Sequence, residues 1–114
     1  MGLAIHITEL DVDDYRAPGL LMARDQLVAD EYTRFLEAAL AEPAVNVVMT
    51  WGMSDRYTWL NGEPDAPKRR GLDGQPFRPL PFDRDFRPKP AAAALARAFA
   101  QAAIRHSPRL PSQR

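Results

Sequence analysis

The sequence predicts an α/β protein, and within that class a slice of a larger fold. Two short apolar segments, 3–10 and 45–52, have the β-branched composition of strands, and a helical pattern lies between them. Strand, helix and strand joined by short connections form a βαβ unit, whose strands run parallel with a right-handed crossover. Two strands and two helices would leave one edge of each strand unpaired, so the element count indicates that further strands belong beside them.

The composition fits one ordinary domain and argues against several functions. The 114 residues are 46% hydrophobic and 26% charged with no net charge, which removes the electrostatic case for a nucleic acid or a membrane as partner. There is no run of about 20 apolar residues for a membrane helix. Cysteine is absent and His6 and His106 lie far apart, so we predict no metal and no cofactor. The basic triplet at 68–70 is interpreted as part of a solvated loop.

The first predicted strand, "LAIHITEL" at 3–10, is apolar on both faces, as in parallel sheets covered by helices. Glu9 stands near its C-terminal end. His6 has the opposite parity along the strand, so it is expected to face the helix layer as a buried histidine. A loop at 11–19 with three aspartates follows.

Two helices are predicted from their hydrophobic periodicity. The first covers about 22–41 and the second begins near Pro90, which suits a first helical turn. Their expected buried stripes are Val28, Tyr32, Phe35, Leu36, Ala39 and Leu40 on the first helix, and Leu95, Phe99, Ala102 and Ala103 on the second; the polar Asp25, Asp30, Glu31 and Arg34 lie off the first stripe. A loop of about thirty residues joins the second strand to the last helix, and loops of that length are usually functional or disordered.

The residues with the strongest chemical signal are one glutamate and two tryptophans. Glu9 lies where the βα-loops of parallel α/β folds build their sites, although position alone favours a solvated strand end. Trp51 follows the second strand and Trp59 lies eight residues further on, in a polar loop where a core tryptophan is not expected. Flat aromatic rings beside a carboxylate suit sugars, whose C–H groups stack on rings while their hydroxyls meet polar groups.

Three segments together resemble one enzyme family. "HITELDV", "VNVVMTWGMSDRYTWL" and "RPLPFDRDFRPKPAAAAL" are similar, in order and spacing, to the last third of glycoside hydrolase family 10. These enzymes are mostly endo-1,4-β-xylanases built on a (β/α)8 TIM barrel. The resemblance implies that residues 1–106 are the C-terminal portion of such a catalytic domain, with its strands 7 and 8 and their helices, and that 107–114 is a flexible tail.

The same resemblance implies roles for the three residues. Glu9 falls on the catalytic nucleophile of the "ITELD" motif, and Trp51 and Trp59 fall on the tryptophans that line the sugar subsites. Thr58 stands where serine is usual. A retaining mechanism on β-1,4-xylan or xylo-oligosaccharides is implied, in a secreted or periplasmic protein, although the chain shows no signal peptide. The family's acid/base glutamate belongs to a "WDVVNE"-like motif on the fourth strand, which this chain lacks, so the missing N-terminal part of the barrel is an expected partner.

Other readings of these residues remain. Asp11 or Asp13 could replace the missing acid/base, but both would approach a sugar from the same side as Glu9, whereas a retaining pair flanks the bond. The Asp11-Val12-Asp13 pattern also resembles the aspartate pair of haloacid-dehalogenase-type phosphotransferases, without that family's later motifs. The main alternative to an enzyme is a non-catalytic, carbohydrate-binding remnant of the same barrel.

Overall fold

The computed structural model describes residues 2–17, 19–62 and 69–106, so the tail predicted at 107–114 lies outside the described residues. The elements, in chain order, are strand β1 (Ile5–Leu10), helix α1 (Leu21–Ala39), strand β2 (Val45–Thr50), two 3-10 helices (Asp55–Tyr57 and Trp59–Asn61) and helix α2 (Pro90–His106). The predicted order of strand, helix, strand, long connection and helix is confirmed. Within the described residues, no helix is long and apolar enough to cross a membrane.

The two strands pair in parallel, as the βαβ pattern predicts. The register begins with Ile5 opposite Val45 and ends with Leu10 opposite Thr50, with two irregularities between them. The Ile5 N–H donates to the Ala44 carbonyl at 2.7 Å, which extends the ladder by one bond beyond β2. Parallel pairing brings the C-terminal ends of both strands to one edge of the sheet, and this edge carries the candidate site.

The core lies between the two helices and one face of the sheet. Val28, Tyr32 and Leu36 of α1 are fully buried against an alanine-rich face of α2, which lets the helices approach closely. Full burial of side chains of this size contributes about 1.5–3 kcal/mol each. The other members of this cluster are Ala29, Leu40, Ala91, Ala94, Leu95 and Ala98, with Leu10, Val12, Val45, Val48 and Ala102 packed against it.

The predicted stripes of both helices are too wide. Phe35 on α1 and Phe99 on α2 are 45% and 42% exposed, and Ala103 is also exposed. Among the described residues, each helix packs against the other helix on one side only. The predicted apolar stripe would suit a helix with neighbours on both sides, so about half of its width is exposed. Asp25, placed off the stripe by its charge, is instead buried.

The helices cover the faces of the two strands only in part. Ile5 and Met49 are exposed large apolar side chains on β1 and β2. His6, expected as a buried histidine, is exposed as well. The core packs on the C-terminal part of β1, at Leu10, so the first half of that strand has no helix over it.

Buried ion pairs hold the long connection between β2 and α2 against helix α1. Arg78 donates to both carboxylate oxygens of Asp25, at 2.7 and 2.8 Å, a bidentate geometry that fixes orientation as well as distance. Arg24, also buried, donates to Asp14 at 2.6 Å and to Asp73 at 2.9 Å. The loop predicted as functional or disordered is therefore ordered over its described part.

Candidate functional site

Glu9 lies at the C-terminal end of β1 and is exposed. The next residue, Leu10, packs against the core. Glu9 is open to solvent while Leu10 beside it is partly buried, in the stretch where the strand register is irregular. Glu9 is therefore an exposed carboxylate at the strand end.

Trp51 follows β2 directly and is tied to the end of β1. Its backbone N–H donates to the Leu10 carbonyl at 2.8 Å, so the residue after Glu9 and the residue after β2 are hydrogen-bonded neighbours. The side chain of Trp51 is 48% exposed. Gly52 then turns the chain away with a φ of 115°, and a Cβ at that position would lie 3.0 Å from Leu80. Glycine is required here by both the backbone conformation and the contact.

Trp59 lies at the same C-terminal edge of the sheet and is held there by its own helix and by Asp11. It opens the second 3-10 helix, whose preceding residue Thr58 accepts a hydrogen bond from the Leu60 N–H at 3.3 Å. Threonine in place of serine therefore keeps the capping hydroxyl. The indole N–H of Trp59 donates to the Asp11 carboxylate at 2.8 Å, and the side chain is 50% exposed. Both predicted tryptophans are thus half open to solvent at the strand edge that carries Glu9.

Arg69 covers part of the Trp59 ring. Its guanidinium lies 5.5 Å from the centre of the Trp59 ring and 5.8 Å from the centre of the Phe77 ring. Phe77 is buried, so Arg69 bridges the core to the exposed indole. The side chain is exposed, as a solvated loop residue would be, but it contacts the site.

The neighbouring aspartates are occupied by other contacts. Asp11 accepts from Trp59, and Asp13 accepts from the Tyr15 backbone N–H at 2.9 Å, the bond of a local turn. Asp14 is buried and accepts from Arg24 and from the Arg78 backbone N–H. None of the three is left as a free carboxylate paired with Glu9. In the described part of the chain, no cluster of three or more His, Cys, Asp or Glu side chains could hold a metal ion.

A buried ion pair supports the loop between the two tryptophans. The Lys89 ammonium lies 2.7 Å from Oδ2 of Asp55, and both side chains are buried. Oδ1 of Asp55 accepts from the Leu80 N–H at 3.0 Å, while Lys89 donates to the Arg78 carbonyl at 2.8 Å. Burial raises the pKa of Asp55 and lowers the pKa of Lys89, each against the opposing effect of its partner. The charges hold the tryptophan loop to the start of α2.

The sequence did not predict that Asp11 and Arg69 contact Trp59, or that Asp55 pairs with Lys89 beneath the loop between the tryptophans. The contacts join residues 48, 10 and 34 positions apart in the chain, and no local periodicity connects such positions. The one available signal was composition: charged residues adjacent to the tryptophans in a segment otherwise rich in proline and glycine.

The described residues form an α/β unit with an acidic strand end and aromatic side chains at the C-terminal edge of a parallel two-stranded sheet, the edge where such folds build their sites. The family model for "Glycosyl hydrolase family 10" matches residues 1–98. The chain belongs to this family, and the predicted resemblance is confirmed.

Individual relatives agree with the family match. A thermostable celloxylanase of Thermoclostridium stercorarium is 39% identical over 103 residues, covering 83% of this chain and 24% of the relative. Endo-1,4-beta-xylanase B of Thermotoga neapolitana is 33% identical, covering 83% of this chain and 25% of the relative. The structure of xylanase 10B from Thermotoga petrophila RKU-1, in complex with xylobiose, superimposes with a TM-score of 0.65 at 26% identity, over 88% of this chain and 28% of that one.

The chain therefore spans about a quarter of the length of the relatives it matches. The family and its solved structures imply a TIM barrel, of which the described residues form a small α/β piece.

Proposed function

We propose that Glu9 is the nucleophile of a retaining endo-1,4-β-xylanase. The observation that carries this proposal is the pair of half-exposed tryptophans at the strand edge that also bears Glu9, in a chain of glycosyl hydrolase family 10. Relatives of this chain are named as xylanases, and one solved relative holds xylobiose. β-1,4-Linked xylose units are the substrate class.

The chemistry assigned to Glu9 is a double displacement. Its carboxylate attacks the anomeric carbon from the face opposite the leaving oxygen, and the glycosidic C–O bond breaks as a second carboxylic acid gives its proton to that oxygen. The resulting carboxylate removes a proton from water, which attacks the same carbon and releases Glu9. Retaining enzymes hold the two carboxyl groups about 5–5.5 Å apart, one on each side of the bond.

The second carboxyl group is proposed to come from a part of the barrel outside this chain. Asp11 and Asp13 are hydrogen-bonded to the Trp59 indole and to the Tyr15 backbone, and they follow Glu9 on the same strand end. The βαβ unit would then supply strands 7 and 8 of the barrel. Neighbouring barrel elements would pack in two grooves, one lined by α1 and the end of β1 and the other by β2 and α2.

An activated aryl β-xyloside tests the nucleophile without requiring the acid, because its leaving group needs little protonation. The chain is expected to gain one xylosyl group, located on Glu9 by peptide mass analysis, and to leave native xylan uncut. Glu9→Gln should abolish the adduct, while Glu37→Gln, an exposed glutamate of α1, should retain it. Labelling of another residue, or equal labelling of Glu9→Gln, would contradict the assignment.

The second candidate function is carbohydrate binding without turnover. It is favoured by the same half-exposed tryptophans together with the occupied state of Asp11 and Asp13. In this case the chain is retained on insoluble xylan, Trp59→Ala removes the retention, and no xylosyl adduct forms. Phe35→Ala, which removes an equally exposed aromatic ring from α1, is the matched control. An adduct on Glu9 would decide against this candidate.

A further inference from the structure

The orientation of Trp59 depends on two charged side chains that lie outside the predicted site. Asp11 is the second residue after Glu9 and is half-buried, and its Oδ2 accepts the indole N–H at 2.8 Å. A charged acceptor makes this hydrogen bond stronger than one between neutral groups. It ties the edge of the indole to the strand end that carries Glu9.

Arg69 fixes the ring in a second direction. Its guanidinium lies over the Trp59 ring and over the Phe77 ring, 5.5 and 5.8 Å from their centres. Within the described part of the chain, no carboxylate forms an ion pair with Arg69, so the aromatic faces are its assigned contacts there. Phe77 is buried while half of Trp59 is exposed, so Arg69 links the indole to the body of the molecule.

We propose that Asp11 and Arg69 are positioning residues that hold Trp59 in one orientation, with one indole face covered and the other open to a sugar ring. This inference rests on the proposed function for the identity of the sugar, a β-1,4-linked xylose unit. Asp11 and Arg69 act through Trp59 and need not touch the sugar. A tryptophan held in this way loses little side-chain freedom on binding, so more of the stacking energy appears as affinity.

The first experiment needs no sugar. In a ¹H–¹⁵N spectrum of the full chain, the indole N–H signal of Trp59 is assigned with Trp59→Phe and is expected downfield and slowly exchanging. Asp11→Ala should move it upfield by several tenths of a ppm and speed its exchange at least tenfold. Asp13→Ala removes an adjacent aspartate whose bond goes to the Tyr15 backbone, and should leave the indole signal in place.

The second experiment measures xylohexaose affinity by fluorescence. Asp11→Ala is expected to weaken binding about tenfold, the value of a charge-assisted hydrogen bond. Arg69→Ala is expected to weaken it about twofold to fivefold, since a cation–ring contact at an exposed site contributes that much. The control for Arg69 is Arg70→Ala, the neighbouring exposed arginine. Asp11→Asn, which keeps a neutral acceptor of the same shape, should recover part of the affinity, to within about threefold of wild type.

The outcomes separate this inference from the proposed function. An unchanged Trp59 indole signal in Asp11→Ala, in a variant with a native spectrum elsewhere, would overturn the positioning role of Asp11 whether or not the chain binds sugar. Equal effects of Arg69→Ala and Arg70→Ala would overturn the role of Arg69. If the wild-type chain does not bind xylohexaose while the indole signal responds as expected, Trp59 is held as inferred and the sugar assignment fails.

Discussion

At the scale of single residues, the Asp55–Lys89 pair is the most costly feature of the site. Taking two charges out of water is unfavourable, and their attraction repays it when the remaining polar atoms are also satisfied. Here Oδ1 of Asp55 accepts from the Leu80 N–H, Lys89 donates to the Arg78 carbonyl, and among the described residues Oδ2 of Asp55 has only the Lys89 ammonium, at 2.7 Å, as its partner. The pair therefore fixes the loop between the tryptophans relative to α2 more than it adds to the free energy of unfolding.

Removing one partner of this pair should be far worse than removing both. Lys89→Met leaves the buried Asp55 without its counter-ion and is expected to lower the free energy of unfolding by about 3–5 kcal/mol. Adding Asp55→Asn removes the second charge and keeps the acceptor for Leu80, so the double variant should recover most of that loss. Urea denaturation followed by circular dichroism measures both values. A double variant that is no more stable than Lys89→Met alone would show that the residues do not act as a pair.

Residue by residue, the sequence predicts that Trp59 lies outside the core but does not predict the residues that contact it. Trp59 was placed in a polar loop and is half exposed. The partner of Asp11 was not predictable, because it lies 48 residues away and depends on how the 3-10 helices fold. Asp25 shows the same limit: a charge in a helical pattern is assigned to solvent until the fold brings Arg78 to it.

At the scale of elements, a tight turn at 83–87 leads into helix α2. Asp83 organises it: its Oδ1 accepts the N–H groups of Asp85 at 2.8 Å and Arg87 at 2.9 Å, and its N–H donates to the Arg87 carbonyl. Phe86 has a positive φ of 60°, an uncommon conformation for a residue with a Cβ. Its exposed ring lies against Tyr57, at 6.3 Å between ring centres, which connects this turn to the loop between the tryptophans.

The turn should make the fold sensitive to acid. The Arg87 N–H holds the pKa of Asp83 below its ordinary value of 3.8, so the ionised carboxylate stabilises the folded chain above pH 3.8 and this stability is lost as the pH falls through the lower pKa. Asp83→Asn should melt at a lower temperature near pH 6, with the difference from wild type shrinking toward pH 3.

The pH comparison isolates one group. Asp55, whose pKa is raised by burial, acts with the opposite sign and is present in both proteins, so it cancels from the difference. Asp85→Asn is the control, since the Asp85 carboxylate makes two long contacts, at 3.6 and 3.7 Å, to exposed arginines. A difference between wild type and Asp83→Asn that stays constant from pH 6 to pH 3 would contradict the assignment.

Element types and order follow from periodicity, but their coverage does not. The strands and helices lie within a few residues of the expected bounds, because apolar spacing and Pro90 are local signals. The burial of His6 and Phe35 was predicted from a complete environment on every side, which the described residues do not provide. A pattern of residues records which faces are apolar; it does not record which neighbours are present to cover them.

At the scale of the whole molecule, the described residues leave large apolar side chains exposed on both helices and on the strands. The sheet has two strands, so among these residues each strand has one unpaired edge. A groove of about 360 Å³ lies between α1 and the end of β1, and another of about 250 Å³ lies between β2 and α2. Phe35 borders the first groove and Phe99 the second, which accounts for their exposure. The grooves and strand edges together favour association.

The isolated chain is therefore expected to self-associate, and a charge introduced on the sheet should weaken this association. Met49 lies on β2 and is 50% exposed, so Met49→Lys places a charge on an open strand, the means by which natural edge strands resist pairing. Sedimentation velocity should show wild type self-associating with rising concentration and Met49→Lys shifted toward monomer. Met22→Lys, at an exposed position on α1, adds the same charge away from the sheet and should resemble wild type. If wild type sediments as a monomer at every concentration and melts cooperatively, the exposed strands are stable without partners and the expectation is wrong.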